Sequence, residues 1–376
     1  MRIGLVSFAA PPATGGGAVY VDLLAHIASE NVAIDEFHFF CERHPAVEAT
    51  EDEPLDALPG IAVHRLFAQR ATGAATGTSA YIAFARQQLQ FINVARRLRQ
   101  LKLDAVLFHS DVLRRPSAAF LAIRAAKAAG TSVILDSRDI ALTSKRNRSL
   151  QSFDGFLACG IGPKEHLHQI MSPQRDVTVI PVPFNGAVDP GVGPAGRALL
   201  ASLGLSDGDP YILMAGGLTP AKGPVQAAET ALALADSGRS DLPIVCCGPD
   251  RFSHQTVDEA LKRQALLYAG RVDRDTHLEL VSGAACIASF SIREGVPRTI
   301  LEAIALKRKV FAPSCVPEFD HMLHLEGDPA ARAKQILKLI AGENPAVDYD
   351  LSIHNPTSVV NSIVSYINAL NRGREN

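Results

Sequence analysis

The chain has 376 residues, of which 47% are hydrophobic and 20% charged, and a formal net charge of −2. That is about twice the length of a typical domain, so two domains are expected, each large enough to bury a core. The near-cancelling charge argues against a nucleic-acid partner, and no apolar run approaches the roughly 20 residues of a membrane-spanning helix.

Short β-branched runs alternate with longer amphipathic stretches, which is the pattern of a parallel sheet covered on both faces. In the first half, strands are predicted at Ile3–Phe8, Glu36–Phe40, Ala105–Phe108, Ser132–Leu135, Gly155–Ala158 and Val177–Ile180. Helices are predicted at Tyr20–Ala28, Ala83–Leu101 and Ser117–Ala128, the second with a buried stripe through Phe91, Val94, Leu98 and Leu101. Phe67–Ser79 reads as a loop and the Gly- and Pro-rich Asn185–Ala195 as a linker. The pattern then restarts with strands Tyr211–Met214, Pro243–Cys247, Leu266–Tyr268, Cys286–Ser289 and Val310–Ala312. The matching helices are Pro224–Ser237, Thr299–Leu306, Ala330–Ile340 and Val359–Leu370. Two doubly wound α/β halves imply a cleft where the strand ends of both sheets converge.

Cys41, Cys159, Cys246, Cys247, Cys286 and Cys315 are scattered, mostly in apolar runs, without metal-ligand spacing. They read as small buried hydrophobes of a reducing compartment. The opening MRIGLVSFAAPP has one positive residue and a short apolar run, and it lacks a small-residue cleavage site. A cytoplasmic location is therefore expected. Arg96, Arg97, Arg99 and Lys102 lie on one helix, with Arg114, Arg115, Lys145, Arg146 and Arg148 further on. Such a group suits a solvated face, an anionic acceptor or peripheral contact with an acidic membrane surface.

Two segments carry chemistry. Pro11–Gly17 joins the first strand to the first helix, and Gly16 and Gly17 would let the backbone approach an anion at a helix N-terminus. The dinucleotide pattern GxGxxG fails there, because Tyr20 takes its sixth position. In Glu294-Gly295-Val296-Pro297-Arg298-Thr299-Ile300-Leu301-Glu302, seven residues separate two carboxylates across a loop that opens a helix. Pro297 suits the first turn, and N–H groups at Thr299 and Ile300 would be free to hold a diphosphate. Glu302 could accept from ribose hydroxyls, and Glu294 could reach a transferred sugar. Asp273-Arg274-Asp275 spells a DxD metal signature, but acids there suit a helix cap and no further oxygen ligands accompany them. His109, with Asp111 beyond it, ends an apolar strand at the edge where open sheets place ligands.

The segment Ser291–Ala303 resembles the E-x7-E signature of retaining GT-B transferases, glycosyltransferase family 4. Val179-Ile180-Pro181-Val182-Pro183-Phe184-Asn185 is similar to that family's VIPNGVD hinge, Leu218–Gly223 to its L-x-P-x-K-G loop, and Gly327-Asp328-Pro329 to its GDP. The resemblance implies a GT-B architecture of two Rossmann-like domains: an acceptor-binding domain at 1–188, a nucleotide-sugar-binding domain at 189–355, and a helix at 356–376 returning to the first. It implies a retaining, metal-independent hexosyltransferase with no cofactor. The donor would be a nucleotide sugar, UDP favoured over GDP, and the acceptor a glycan, a lipid-linked sugar or a small molecule. His109, Lys222 and Glu294 would be catalytic. Gly16, Gly17, Gly216, Lys222, Glu294, Gly295, Val296, Thr299, Ile300 and Glu302 would bind the donor, with Glu302 on the ribose and Lys222 on the diphosphate.

Two departures stand out. Gly217 occupies the place of the family's usual arginine, so Arg271, Arg293 or Arg298 would have to supply that cation. Ser137-Arg138-Asp139 replaces a second common histidine. The rival readings are a GT-B epimerase of sugar nucleotides, a catalytically degenerate nucleotide-sugar-binding subunit and, more remotely, a dehydrogenase.

Overall fold

A strand buried on both faces needs a continuous apolar run, because neither side meets water. The strands of the first sheet are written that way. The computed structural model describes residues 1–8, 16–42, 55, 57–67, 78–114, 119–138, 140, 150–171, 173, 175–248, 252–342 and 347–375. The chain divides into two compact units, Met1–Pro183 with Ile353–Asn376, and Phe184–Ser352.

The first unit holds strands β1 (Arg2–Val6), β2 (Glu36–Glu42), β3 (Ile61–Phe67), β4 (Ala105–His109), β5 (Ser132–Ser137), β6 (Gly155–Ala158) and β7 (Thr178–Val179). All pair in parallel in the order β3-β2-β1-β4-β5-β6-β7. That is the doubly wound order with its switch point between β1 and β4. Its helices are α1 (Gly16–Glu30), α2 (Thr78–Leu101), α3 (Ala119–Ala128) and α4 (Ile161–Ile170). The α2 stripe of Phe91, Val94, Leu98 and Leu101 is buried against Phe40, Phe67, Val106 and Phe108. Arg96, Arg97, Arg99 and Lys102 are exposed. Arg115, Lys145, Arg146 and Arg148 lie outside the described residues.

The second unit runs through α5 (Pro194–Ser202), β8 (Ile212–Ala215), α6 (Pro224–Asp236), β9 (Ile244–Cys247), α7 (Gln255–Lys262) and β10 (Leu266–Gly270). It continues with α8 (Arg274–Gly283), β11 (Cys286–Ala288), α9 (Arg298–Ala305), β12 (Val310–Phe311) and α10 (Pro329–Ala341). Its parallel sheet has the order β10-β9-β8-β11-β12, with the switch point between β8 and β11. The last helix, α11 (Pro356–Glu375), belongs to the first unit. Val359, Val360, Ile363, Val364 and Ile367 join Ile3, Leu5, Phe39 and Leu107 in one core cluster. Tyr366 Oη accepts from the Phe156 amide at 2.8 Å. A Cβ on Gly155 would meet that hydroxyl at 2.4 Å, so glycine is what lets α11 lie against β6.

Several elements differ from expectation. β3 was not expected, because it is an edge strand with only Phe67 fully buried and its pattern interrupted by His64 and Arg65. The loop predicted from Phe67 therefore begins one residue too early. Its end also belongs to α2, which starts at Thr78 rather than Ala83; residues 68–77 lie outside the described residues. Pro194, read as linker, is instead the first residue of α5, where its missing N–H costs nothing. Helices α4 and α7 are short and carry little sequence signal; α7 buries only Val257 and Ala260.

Gly223 links the turn Pro220–Lys222 to α6 with φ +66°, and a Cβ there would lie 2.0 Å from the Phe290 carbonyl oxygen. Gly238 also has a positive φ, +85°, but a Cβ there meets nothing within 4 Å. We expect Gly238→Ala to cost about 1 kcal/mol and Gly223→Ala more than about 3 kcal/mol, since the second adds a backbone overlap to the left-handed strain. Urea denaturation of the two variants checks this, and equal losses would show that Phe290 yields without cost.

Candidate functional site

In open parallel sheets the loops after the strands' C-terminal ends are where ligands sit. In the second unit two side-chain groups are built on those loops. The first gathers around Lys222. Gly216, directly after β8, has φ +91°, and a Cβ there would approach Lys222 Cε to 2.8 Å. The bare glycine thus lets the lysine stem fold over the strand end. The ammonium pairs with Glu294 Oε2, which also accepts from Ser291 Oγ at 3.2 Å. The side chains of Lys222 and Glu294 keep 25% and 19% of their exposure, so the pair remains open to water. Gly295 and Val296 are buried in the loop that follows.

The second group gathers around Glu302, whose side chain is only 1% exposed. Its Oε1 accepts from Arg274 Nη1, and its Oε2 lies 3.1 Å from His277 Nε2. The same imidazole nitrogen is 3.2 Å from Thr299 Oγ1, and His277 Nδ1 is 3.6 Å from Cys247 Sγ. Burial alone would push the Glu302 carboxyl up. The hydrogen bond and charge of His277, with Arg274, outweigh that and hold it below the usual carboxylate range. Burial alone would likewise lower His277, yet its hydrogen bonds to Cys247 and Glu302 raise it to about 10. His277 is therefore an imidazolium at neutral pH. Arg298, the first residue of α9, is pushed down to about 10 by burial, with Glu302 opposing and Arg274 adding to the shift.

The motif spacing thus brings Lys222, Gly216 and Glu294 together, and it brings Thr299 and Glu302 together around His277. One expectation needs correction. The Ile300 N–H bonds the Pro297 carbonyl at 3.1 Å, so it is not free for a diphosphate. Both oxygens of Glu302 are likewise already accepting, from Arg274 and His277 rather than from open space. Arg271 and Arg293 are exposed. Asp273 caps α8, accepting from the Thr276 amide at 2.8 Å and its hydroxyl at 3.0 Å. Sequence reasoning missed Arg274, His277 and Cys247. The available signal was that Arg274 and His277 stand three residues apart, on one face of a helix.

The remaining predicted residues lie in the first unit. Gly16 and Gly17 open α1, and Pro11–Gly15 lies outside the described residues. His109 ends β4, is 8% exposed, and its Nδ1 is 3.1 Å from Asp111 Oδ1. Tyr20 stacks near it with ring centroids 6.1 Å apart and donates to Asp136 Oδ2 at 2.8 Å. Arg138 lies 4.4 Å over the Tyr20 ring, with Nε 2.6 Å from Asp136 Oδ1.

Residues 197–323 match the family model of glycosyl transferases group 1. The chain carries a glycosyltransferase domain on a GT-B fold. The N-terminal domain of trehalose-6-phosphate phosphatase from Candida albicans is 12% identical, at a TM-score of 0.71, over 98% of this chain and 97% of that one. The Anabaena HepE protein, in complex with UDP and glucose, is 16% identical, at a TM-score of 0.63, over 100% and 98%. Sucrose-phosphate synthase from Thermosynechococcus elongatus is 15% identical, at 0.61, over 100% and 97%. These likenesses establish the fold. No curated protein sequence matches the chain. Among the described residues of the transferase, no helix is long and apolar enough to cross a membrane.

The imidazolium gives the transferase an alkaline liability. A group whose pKa is raised on folding stabilises fully below its unfolded value, near 6.5, and that stability is lost as pH rises through its folded value. For His277 the window runs from about 6.5 to about 10. We expect the thermal midpoint to fall across it, and His277→Gln to flatten that part of the profile. A variant with the wild-type slope would mean that the imidazole is neutral in the folded protein.

Proposed function

We propose that this glycosyltransferase takes a nucleotide sugar, a UDP-sugar in the first instance, in its second unit and transfers the sugar with retention and without a metal. The observation that carries the reading is the Lys222–Glu294 pair at the end of β8, inside the segment that matches the family model. The pair sets a cation and an acceptor side by side. The lysine N–H groups not engaged with Glu294 suit a phosphate oxygen, and Glu294 Oε1 suits a sugar hydroxyl. When the bond from sugar to diphosphate breaks, negative charge grows on the phosphate oxygens, and a fixed ammonium stabilises it more than it stabilises the intact donor. That is the work a metal performs in other transferases, and Lys222 supplies it here with a side chain.

The first unit is assigned the acceptor, a glycan, a lipid-linked sugar or a small molecule, with His109 as its residue nearest the transferred sugar. The exposed residues Arg96, Arg97 and Arg99 on α2, with Lys102 just after it, would raise the local concentration of an anionic acceptor or draw the protein to an acidic membrane surface. Glu302 already accepts from Arg274 and His277, and each of its oxygens keeps a second lone pair for a ribose hydroxyl.

Glu294→Gln and Lys222→Ala test the roles. Loss of the ammonium should cut turnover by on the order of a hundredfold or more, as expected for one group aimed at developing charge. Glu294→Gln should lower turnover while leaving nucleoside diphosphate affinity within a few-fold. Rates measured with UDP-sugars in EDTA, and the anomeric configuration of the product by NMR, check the metal-free and retaining parts. Activity that disappears in EDTA and returns with Mn²⁺ would overturn the first, and an inverted product the second.

A further inference from the structure

Positive and negative side chains nearly cancel over the whole chain, 37 Lys and Arg against 39 Asp and Glu, but not on one face of the first sheet. Helix α2 carries four arginines, α3 one arginine and one lysine, and neither helix has an acid along its length. The two helices pack on the same side of the sheet, where Val94 and Leu98 of α2 share a core with Ala122, Ile123 and Ala126 of α3. Arg96, Arg97, Arg99 and Arg124 are exposed, and no acid among the described residues pairs with them. Lys127 does not belong to this group, since Asp154 holds it at 2.9 Å. Asp104, just beyond α2, accepts from the Arg2 amide at 2.6 Å.

Two large apolar side chains stand on the same face. Leu89 and Leu121 keep 62% and 50% of their surface exposed. On α2, Leu89, Asn93, Arg96 and Gln100 recur at spacings of four, three and four, opposite the buried stripe. Helix α2 leads into β4 and α3 into β5, and Ala105 of the one strand pairs with Ser132 of the other. That register sets Leu121 level with Val94 and Arg124 level with Arg97. The solvent side of the two helices therefore carries two leucines and then, toward the helix C-termini, a band of guanidinium groups.

Cations without counter-ions draw an anion, and leucines set among them gain only where an apolar phase meets them. A nucleic acid or another acidic polymer satisfies the first condition and leaves the leucines in water. An anionic bilayer satisfies both, because its headgroups pair with arginine and its acyl boundary takes apolar side chains. We infer that the α2–α3 face docks on an acidic lipid surface, with Arg96, Arg97, Arg99 and Arg124 on the headgroups and Leu89 and Leu121 at the acyl boundary. The inference chooses between the two partners proposed above for the cations of α2, and it uses nothing of the donor chemistry. On the reading of the first unit as the acceptor unit, it favours the lipid-linked class of acceptor.

Co-sedimentation of the full chain with lipid vesicles tests it, using phosphatidylcholine alone and phosphatidylcholine mixed with phosphatidylglycerol. We expect the wild type to bind the mixed vesicles at least about tenfold more tightly than the neutral ones, and to lose affinity as salt rises. Arg96→Glu, Arg97→Glu and Arg99→Glu combined should weaken that binding by at least about a hundredfold. Leu89→Asn with Leu121→Asn should weaken it by about tenfold or more. Lys262→Glu, which changes an exposed cation of the second unit, should leave it within about twofold. The thermal midpoint of each variant reports on its folding. If the wild type ignores the mixed vesicles, or the arginine variant binds them as the wild type does, the inference falls. It falls also if the leucine pair has no effect and a DNA duplex binds as tightly as the vesicles, since the face is then a general polyanion site. A wild type that fails these tests and still binds UDP loses this inference alone. One that binds the vesicles but no nucleotide loses the donor reading alone.

Discussion

A carboxylate with 1% of its surface exposed stays ionised only where cations replace the water it has lost, and Glu302 meets that condition twice. The consequence spreads through the second unit. Arg274 and His277 belong to α8, Glu302 and Thr299 to α9, and Cys247 ends β9, so one charged group ties two helices and a strand together. Beneath it, Ile300, Leu301 and Ala303 are fully buried and hold α9 on the sheet. The apolar side of α9 decides where the helix lies. The ion group decides what its other side presents.

The first unit solves a similar problem with a different balance. Asp136, at the end of β5, has no exposure, and it is held by the Tyr20 hydroxyl and the Arg138 guanidinium. Arg138 also donates to the Ile180 carbonyl at 3.1 Å, and its face lies on Tyr20. His109 lies close to Asp111, which also accepts from the Phe8 amide at 3.0 Å. Here the buried Asp136 carboxylate and the Arg138 guanidinium pair with each other. Both sheets thus carry polar side chains at their C-terminal edge above an apolar interior.

What the residue pattern revealed follows from how local each feature is. Ala105–Phe108 and Ser132–Leu135 are legible as strands because burial on both faces makes every position apolar. The α2 stripe is legible because one face of one helix decides it. The edge strand β3 half-faces water, so its pattern is mixed and it escaped notice. Within the site, Lys222 and Glu294 were legible from short motifs on their own loops. Arg274 and His277 were not, because their partner lies on another helix, 28 and 25 residues away in the chain. Asp273 and Asp275 drew attention to that turn for the wrong chemistry, while the useful residues stood between and just beyond them. Among the candidate cations Arg298 is favoured by its place in the loop that leads into α9, ahead of Arg271 and Arg293. Burial separates them, and burial is a property of the folded unit.

The ion pairs of Glu294 and Glu302 differ in their exposure to water. Lys222 and Glu294 are both partly open to water, and pairs of that kind are worth about 0–1 kcal/mol, so an arriving donor can readily exchange into them. Breaking a buried pair by removing one partner costs about 3–5 kcal/mol, because the charge left behind has no solvent. Glu302 is in that position, so its cations will not leave it for a ligand. They can only share. In the proposed reading, a donor site that binds, releases its product and binds again is served by both kinds of pair. One is exchangeable; the other is fixed and keeps its side chains in place. The folding of Lys222 over Gly216 and the burial of Glu302 under α8 are how this chain makes the two behave differently.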